Sequence, residues 1–184
     1  MTGIEPQQVL IAKLARLWPG GCIGRTALMK ACYLLEVVRG VPLPYRFTLY
    51  SYGPFDKSVL YDLAVAGNLG LVEEQCVVNS MSYGYEIRSN ADDNRLDELG
   101  EGFLAEHADS IAWVVGEFGG YSASQLELAA TIIYADRESM DEDRGETAAT
   151  LAAAVLALKP RFPSEVIAGE IQMLREKGLL HLNG

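Results

Sequence analysis

The sequence predicts a mainly α-helical protein with a small antiparallel β-sheet, made of a winged-helix-like part over residues 1–90 and a helical part over residues 91–184. Two observations lead to this fold class. The first part has the order helix, helix, strand, helix, strand, strand, and apolar residues after it recur at helical spacing. A chain of 184 residues with 49% hydrophobic composition can also give both parts one shared core without a metal or disulfide staple.

Two helices are expected at the start of the chain. In "PQQVLIAKLARLW" the apolar residues Leu10, Leu14, Leu17 and Trp18 recur at helical spacing, and "PGG" ends the helix. The next segment, "RTALMKACYLLEVVRG", is apolar on several faces, which is typical of a helix packed on several sides.

A strand, a third helix and a hairpin follow. "YRFTLYSY" alternates along its length and is rich in aromatic residues, so it predicts a single strand that Gly53-Pro54 breaks. Asp56 is placed to cap the next helix, because its carboxylate can accept from the amides of the first turn. Residues 71–78 and 83–88 then predict the two strands of a hairpin.

Beyond a polar linker at residues 89–95, the chain is expected to be helical to its end. Overlapping capping boxes open one of these helices: Ser122 with Gln125, and Ser124 with Glu127. Residues 136–146, "DRESMDEDRGE", predict an exposed loop because they carry six acidic side chains. An alanine-rich helix follows, and Ser164 is expected to cap the last helix.

The net charge of −10 is unevenly distributed. Residues 1–70 carry seven basic and four acidic side chains, whereas the remaining residues carry eight basic and 21 acidic ones. The ordinary interpretation is a solvated acidic surface. The alternative is a charge-selective face that attracts one partner and repels others.

The sequence favours a cytoplasmic protein without a membrane segment. Cys22, Cys32 and Cys76 are far apart and odd in number, which argues against a disulfide framework. "MTGIEPQQVL" has neither the basic start nor the apolar core of a secretion signal. The apolar stretch "LAAAVLAL" is far shorter than the roughly 20 residues of a membrane span.

No set of catalytic, metal-binding or cofactor-binding residues is evident. His107 and His181 are the two histidines, and neither has the spacing of a metal ligand or of a nucleophile–base pair. Glycine-rich phosphate loops are missing from the sequence. We therefore expect a protein that is not an enzyme and needs no cofactor, and we keep an unrecognised enzyme or small-ligand binder as the third hypothesis.

The aromatic segment around Tyr50, Tyr52, Gly53 and Pro54 is the candidate partner-binding site. Tyrosine is enriched at protein interfaces, so exposed rings here would anchor a protein partner. The alternative is a structural elbow, in which Gly53 permits the bend and Pro54 fixes its exit. Both interpretations can hold together, because alternate strand residues face opposite ways.

Duplex DNA is the alternative partner, through a winged helix. Its candidate contacts are basic side chains of the first part: Arg25, Lys30, Arg46 and Lys57. A dedicated DNA-binding domain carries a continuous basic face, whereas here the basic excess is small and the rest of the chain is acidic. Any nucleic-acid binding is therefore expected to be weak. A homo-oligomer is compatible with the sequence.

Four segments together resemble a known family. They are "GRTALMKACYLLE", "FTLYSYGPFDKSVLYDLAVAGNLGLV", "SQLELAATIIY" and "LKPRFPSEVIAGEIQMLREKGLL". The sequence is similar to the YwgA-type uncharacterised proteins of bacteria and archaea over most of its length. More distantly, Lys30, Tyr33 and Tyr52-Gly53-Pro54 in the first half resemble the Panacea-domain antitoxins of the SocA type.

The near resemblance implies no known activity and no catalytic residues. The distant one implies a protein-binding module that neutralises a toxin or delivers a partner for degradation. Together with the residue patterns, this favours a non-enzymatic interaction or regulatory protein, with a winged-helix DNA-binding regulator as the alternative.

Overall fold

The computed structural model describes residues 3–78, 83–141 and 147–182, and it confirms a mainly α-helical fold with a small antiparallel sheet. Within these ranges, none of the helices is both long enough and apolar enough to cross a bilayer. The helices are α1 (Pro6–Leu17), α2 (Arg25–Val37), α3 (Lys57–Asn68), α4 (Asp93–Leu99), α5 (Phe103–Glu106), α6 (Ala108–Phe118), α7 (Ala123–Asp141), α8 (Ala148–Leu158) and α9 (Ser164–Glu176). The strands are β1 (Ile23–Gly24), β2 (Thr48–Tyr50), β3 (Gly53–Phe55), β4 (Val72–Val78) and β5 (Tyr83–Ser89).

The larger sheet has the order β1-β5-β4, and all its pairings are antiparallel. The predicted hairpin forms it, with Val72 opposite Ser89 and Val78 opposite Tyr83. The turn of this hairpin, residues 79–82, lies outside the described residues. The short strand β1 joins the other side of β5, where Ile23 faces Ile87. The hairpin is therefore tied back to the start of α2.

The strand predicted over residues 45–52 is present but shorter, as β2 (Thr48–Tyr50), and it forms one half of a second, separate hairpin that the sequence did not predict. Strand β2 pairs with β3, with Leu49 opposite Pro54 and Tyr50 opposite Gly53. Gly53 has a φ of +86°, a left-handed conformation that glycine adopts without steric cost, so the chain reverses rather than breaks at this point. Asp56 then caps α3 as predicted, its carboxylate accepting from the amide of Ser58 at 2.7 Å.

Both parts of the chain contribute to one continuous hydrophobic core. Helix α2 lies at its centre and packs against α6 and α7 of the second part and against β1 and β3 of the first. Helix α1 packs against α3 and β5, and also against α4. The boundary expected near residue 90 therefore does not divide the packing of the molecule.

In the second part of the chain, three helix boundaries lie at residues other than those the sequence predicts. The linker is shorter than expected, because Asp92 caps α4 through the amide of Arg95 at 2.9 Å. The segment predicted as an exposed loop, residues 136–146, is helical as far as Asp141. Asp136 is buried, and the backbone amide of His181 in the C-terminal segment donates to its carboxylate. Residues 142–146 lie outside the described residues. Pro163, rather than Ser164, occupies the N-cap position of α9.

We expect Ile133→Ala to destabilise both parts together. Ile133 is fully buried in α7, and truncating such a side chain costs about 2–5 kcal/mol through lost burial and a residual cavity. Urea unfolding would be followed by fluorescence in two single-tryptophan backgrounds, Trp113→Phe to report on Trp18 and Trp18→Phe to report on Trp113. One shared core requires the two midpoints to fall by the same amount, whereas a fall at Trp113 alone would show independent units.

Candidate functional site

The tyrosine turn, which we define as Tyr50–Pro54, presents two aromatic side chains to solvent. The Tyr50 side chain is 66% exposed and the Tyr52 side chain 69% exposed, so both are available to a partner as predicted. The Tyr50 ring is tilted against the ring of Phe55, with 5.6 Å between the centroids. Packing on one side and exposure on the other leave each tyrosine with a polar tip and an apolar face to offer.

Two buried lysines hold the main chain of this turn from beneath. The ammonium group of Lys30, in the middle of α2, donates to the carbonyl oxygen of Pro54 at 2.7 Å. Lys159, which follows α8, donates to the carbonyl of Tyr50 at 3.3 Å and to that of Ser51. The two lysines are only 2% and 4% exposed. Lysine is seldom buried this far unless its charge is satisfied, so the turn and the lysines depend on each other.

Glu127 of α7 supplies the opposite charge. Its carboxylate lies 3.0 Å from the ammonium of Lys159 and also pairs with Arg161. We call Lys30, Glu127 and Lys159 the buried clamp; the Arg161 side chain, which is 53% exposed, pairs with Glu127 from the surface. The pKa of Lys30 is lowered to about 8, chiefly by burial; the charge of Glu127 raises it and the charge of Lys159 lowers it.

Gly53 allows the turn to approach the buried clamp closely. A Cβ atom at this position would lie 3.1 Å from Oγ1 of Thr131, 3.3 Å from Cε of Lys30 and 3.4 Å from the carbonyl oxygen of Glu127. The positive φ already disfavours other residues here. Both the backbone conformation and the space therefore require glycine.

The structure separates the predicted partner-binding residues into two groups. Tyr50 and Tyr52 are exposed, but Gly53 and Pro54 are buried. The expectation that Gly53 and Pro54 contact a partner directly is wrong, because they are held against α2 and α7 instead. The elbow and the aromatic surface thus coexist in one turn.

The four basic side chains predicted to contact DNA do not share one role. Lys30 is buried in the clamp, so its prediction as a charge contact is wrong. Arg25 is half-buried and donates two hydrogen bonds to Glu74, at 2.6 and 2.7 Å, so its charge is already paired. Arg46 and Lys57 are exposed.

A cleft of about 770 Å³ opens beside the tyrosine turn. We call it the aromatic cleft, because five of its lining residues are aromatic: Trp18, Tyr52, Tyr83, Tyr85 and Tyr121. Arg25 lies over the Tyr85 ring, with its guanidinium carbon 3.6 Å from the centroid. The cleft brings together residues from α1, the tyrosine turn, β5 and the start of α7 that the sequence did not connect.

A second cavity, of about 390 Å³, is lined by Tyr33 and Val37 of α2 and by Phe47, Tyr134, Arg137 and His181 among others. The hydroxyl group of Tyr33, which is only 2% exposed, has no hydrogen-bond partner among the described residues, whereas Arg137 and His181 are engaged within the protein. Arg137 pairs with the buried Asp136 and donates to the carbonyl of Leu179, while the backbone amide of His181 donates to Asp136 at 3.0 Å. In the described part of the chain, histidine, cysteine and acidic residues form no group of three that could hold a metal ion.

Sequence reasoning missed Glu127, Lys159 and Arg161 as parts of the site. Glu127 had been assigned to a capping box, but its carboxylate faces Lys159 and Arg161 instead. One signal was present in the sequence, since Lys30 interrupts an otherwise apolar central helix.

Comparison of the chain with protein-family models and with curated proteins gives no match.

We expect Gly53→Ala to destabilise the fold more than Gly40→Ala. Both glycines have positive φ, and a non-glycine residue in this conformation costs about 1–2 kcal/mol. A Cβ at residue 40 would meet nothing within 4 Å, whereas at residue 53 it meets the clamp. Chemical denaturation should show an additional loss on the order of 1 kcal/mol for Gly53→Ala. Equal losses of stability in the two variants would mean that the buried clamp rearranges around the new Cβ atom without destabilising the fold.

The lowered pKa of Lys30 has a defined effect on stability. Between pH 8 and the ordinary lysine pKa near 10.5, the unfolded chain holds a proton on residue 30 that the folded chain has begun to release. Raising the pH through this window therefore stabilises the wild type relative to Lys30→Met, by up to about 1.4 kcal/mol per pH unit. Urea titrations of both proteins from pH 7 to 10 measure the difference between their free energies of unfolding. Titratable groups that the two proteins share contribute equally to both and cancel in this difference. A difference that falls with pH would contradict the assignment.

Proposed function

We propose that this protein is a non-enzymatic protein-binding module whose partner docks on the tyrosine turn. The observation that carries the proposal is that Tyr50 and Tyr52 are strongly exposed while the backbone beneath them is fixed by buried lysines. Large aromatic side chains on a rigid frame are typical anchors of protein interfaces. A frame that is already ordered also lowers the entropy lost when a partner binds.

The family resemblance supports the same class of function. Of the residues it rests on in the first half, Lys30 and Tyr52-Gly53-Pro54 belong to the clamped turn or contact it directly, whereas Tyr33 lines the second cavity. An antitoxin-like role, in which the turn binds a toxin or a partner destined for degradation, is therefore our working hypothesis. We place the protein in the cytoplasm, where its cysteines would stay reduced.

The DNA-binding alternative has weaker support. What supports it is the order of α1, β1, α2, α3 and the β4–β5 hairpin, with β1 beside β5, which resembles that of a winged helix apart from the β2–β3 hairpin between α2 and α3. Its candidate phosphate contacts, however, include one buried lysine and one arginine already paired with Glu74. Several unpaired basic side chains on one face would be needed for tight binding to duplex DNA.

Replacing both exposed tyrosines should abolish partner binding without unfolding the protein. The double variant Tyr50→Ser, Tyr52→Ser removes two rings that bury little area in the free protein, so its melting temperature should change little. Tyr61→Ser is the matched control, because Tyr61 is also 69% exposed but lies on α3. Affinity capture from the native cell, with quantitative mass spectrometry, compares the three proteins.

A supporting result is a protein that the wild type and Tyr61→Ser retain but the double variant loses, with at least a tenfold difference. Binding of that protein should then be reproduced with purified components. If the double variant retains every protein that the wild type retains, the tyrosine turn is not the docking site. Tight binding of purified wild type to duplex DNA at about 150 mM salt would favour the alternative function.

A further inference from the structure

We propose that the second cavity, the one lined by Tyr33, binds a small, neutral heteroaromatic molecule that accepts a hydrogen bond from the Tyr33 hydroxyl. The cavity measures about 390 Å³, at the lower end of the range for small-ligand sites, which suits a ligand of one ring or two fused rings. None of the described residues that line it belongs to the tyrosine turn. The inference therefore goes beyond the proposed function and does not depend on it.

Aromatic rings form the inner wall of this cavity. The Tyr33 ring stands edge to face with that of Phe47, with 5.3 Å between the centroids, and its centroid lies 6.3 Å from that of Tyr134. Phe47 and Tyr134 are only half-buried in the free protein, so each ring keeps uncovered surface. Contacts between aromatic rings stabilise a complex beyond the area that they bury. The wall therefore favours a flat aromatic ligand.

The hydroxyl group of Tyr33 defines the polar part of the ligand. It has no hydrogen-bond partner within the described ranges, although the side chain is only 2% exposed. An unpaired buried polar group is costly, so a ligand atom that pairs with it supplies what the free protein lacks. Burial raises the pKa of Tyr33, so the hydroxyl keeps its proton at neutral pH and donates. The charges of Arg137 and Glu138 also act on this pKa, and both residues line the cavity, which places the hydroxyl close to its wall.

The charges around the cavity oppose one another, which favours an uncharged ligand. Arg137 pairs with the buried carboxylate of Asp136 and donates to the carbonyl of Leu179. Nδ1 of His181 lies 3.2 Å from the same carboxylate. Glu138 adds an acidic side chain to the lining. An anion would be repelled by Glu138 and a cation by Arg137, whereas a neutral molecule meets neither repulsion.

The mouth of the cavity consists of exposed side chains. Val37 and Met140 line the cavity and are 36% and 49% exposed, and His181 is exposed beside them. A ligand can therefore enter without unfolding of the core. The flexible Met140 side chain can also adapt to the edge of the bound ring. Val37 gives a position at which a larger side chain would block entry.

Two probes of the same shape isolate the hydrogen bond. Quinoline is neutral at neutral pH and carries a ring nitrogen that accepts a hydrogen bond, whereas naphthalene has two fused rings without that atom. Each is titrated into the full-length protein and followed by amide chemical shifts in two-dimensional NMR. We expect saturable binding of quinoline with a Kd below about 1 mM, which is within reach for a ligand of this size. Naphthalene-2-carboxylate and naphthalen-2-ylmethylammonium, the charged probes, should each bind more weakly than quinoline.

Tyr33→Phe removes the hydroxyl and keeps the ring. It should weaken quinoline binding about fivefold or more, the usual effect of one lost hydrogen bond, and change naphthalene binding less than about twofold. Comparing the two probes on the two proteins separates this hydrogen bond from any general change in the cavity. Because the hydroxyl is unpaired in the free protein, the melting temperature of Tyr33→Phe should be unchanged or higher.

Val37→Trp locates the binding. A tryptophan at the mouth should weaken both probes about tenfold or more, because it occupies the space that the ligand enters. Val166→Trp is the matched control, since Val166 is 48% exposed but lies on α9 and does not line the cavity. It should bind both probes as the wild type does. Far-ultraviolet circular dichroism and the melting temperature show that each variant is folded.

Several results would overturn the proposal. Absence of quinoline binding at about 1 mM, or equal binding by Val37→Trp and the wild type, would show that the cavity is not the site. Unchanged quinoline binding by Tyr33→Phe, or a clear fall in its melting temperature, would show that the hydroxyl is not free for a ligand. Tighter binding of a charged probe would overturn the neutral class. Tyr50→Ser, Tyr52→Ser should bind quinoline as the wild type does, so failure of the docking site and failure of this site are separate results.

Discussion

The buried ammonium groups of Lys30 and Lys159 bind main-chain carbonyls of the tyrosine turn, and much of the surrounding structure follows from that requirement. A lysine this deeply buried is stable only when hydrogen bonds and a counter-charge replace water. The carbonyls of Tyr50, Ser51 and Pro54 provide the hydrogen bonds, and Glu127 provides the charge. The same constraint requires glycine at residue 53, since a side chain there would enter the space that the clamp occupies.

This arrangement explains how one short turn can be both an elbow and an exposed aromatic surface. The main chain of residues 50–54 faces inward and is fixed, while the rings of Tyr50 and Tyr52 face outward. Fixing the backbone leaves each tyrosine with little more than its two side-chain torsions to lose on binding. The Arg25–Glu74 pair beside the turn neutralises the basic side chain that lines the aromatic cleft, so the described lining presents aromatic surface without an unpaired charge.

Much of the helical architecture could be predicted from the sequence, because apolar periodicity reports directly on a buried face. The β4–β5 hairpin was equally visible, since its alternation is sustained on both sides of a polar turn. The β2–β3 hairpin was missed because alternation cannot show where a strand reverses, and a glycine with positive φ can begin the returning strand as well as end the first. Asp136 was misplaced because its acidic neighbours suggested exposure, whereas its own burial depends on the distant His181.

The buried clamp lay beyond sequence reasoning for a related reason. Its members come from α2, from α7 and from the segment after α8, and no local pattern connects them. Lys30 was visible as an exception within an apolar helix, but its partner is a backbone carbonyl, which no side-chain motif records. The exposure of Tyr50 and Tyr52, in contrast, could be predicted, because alternation along residues 45–52 places both rings opposite Phe47 and Leu49.

The sequence separation within the clamp bears on when the protein becomes competent during its synthesis. Lys159 and the carbonyl of Tyr50 are 109 positions apart, so this contact cannot form until most of the chain has left the ribosome. Contacts between distant segments also tend to form late in folding, because closing a long loop is entropically costly. A nascent chain can carry both tyrosines without the fixed backbone beneath them. Under the proposed function, a partner that needs the fixed turn would therefore distinguish finished molecules from incomplete ones.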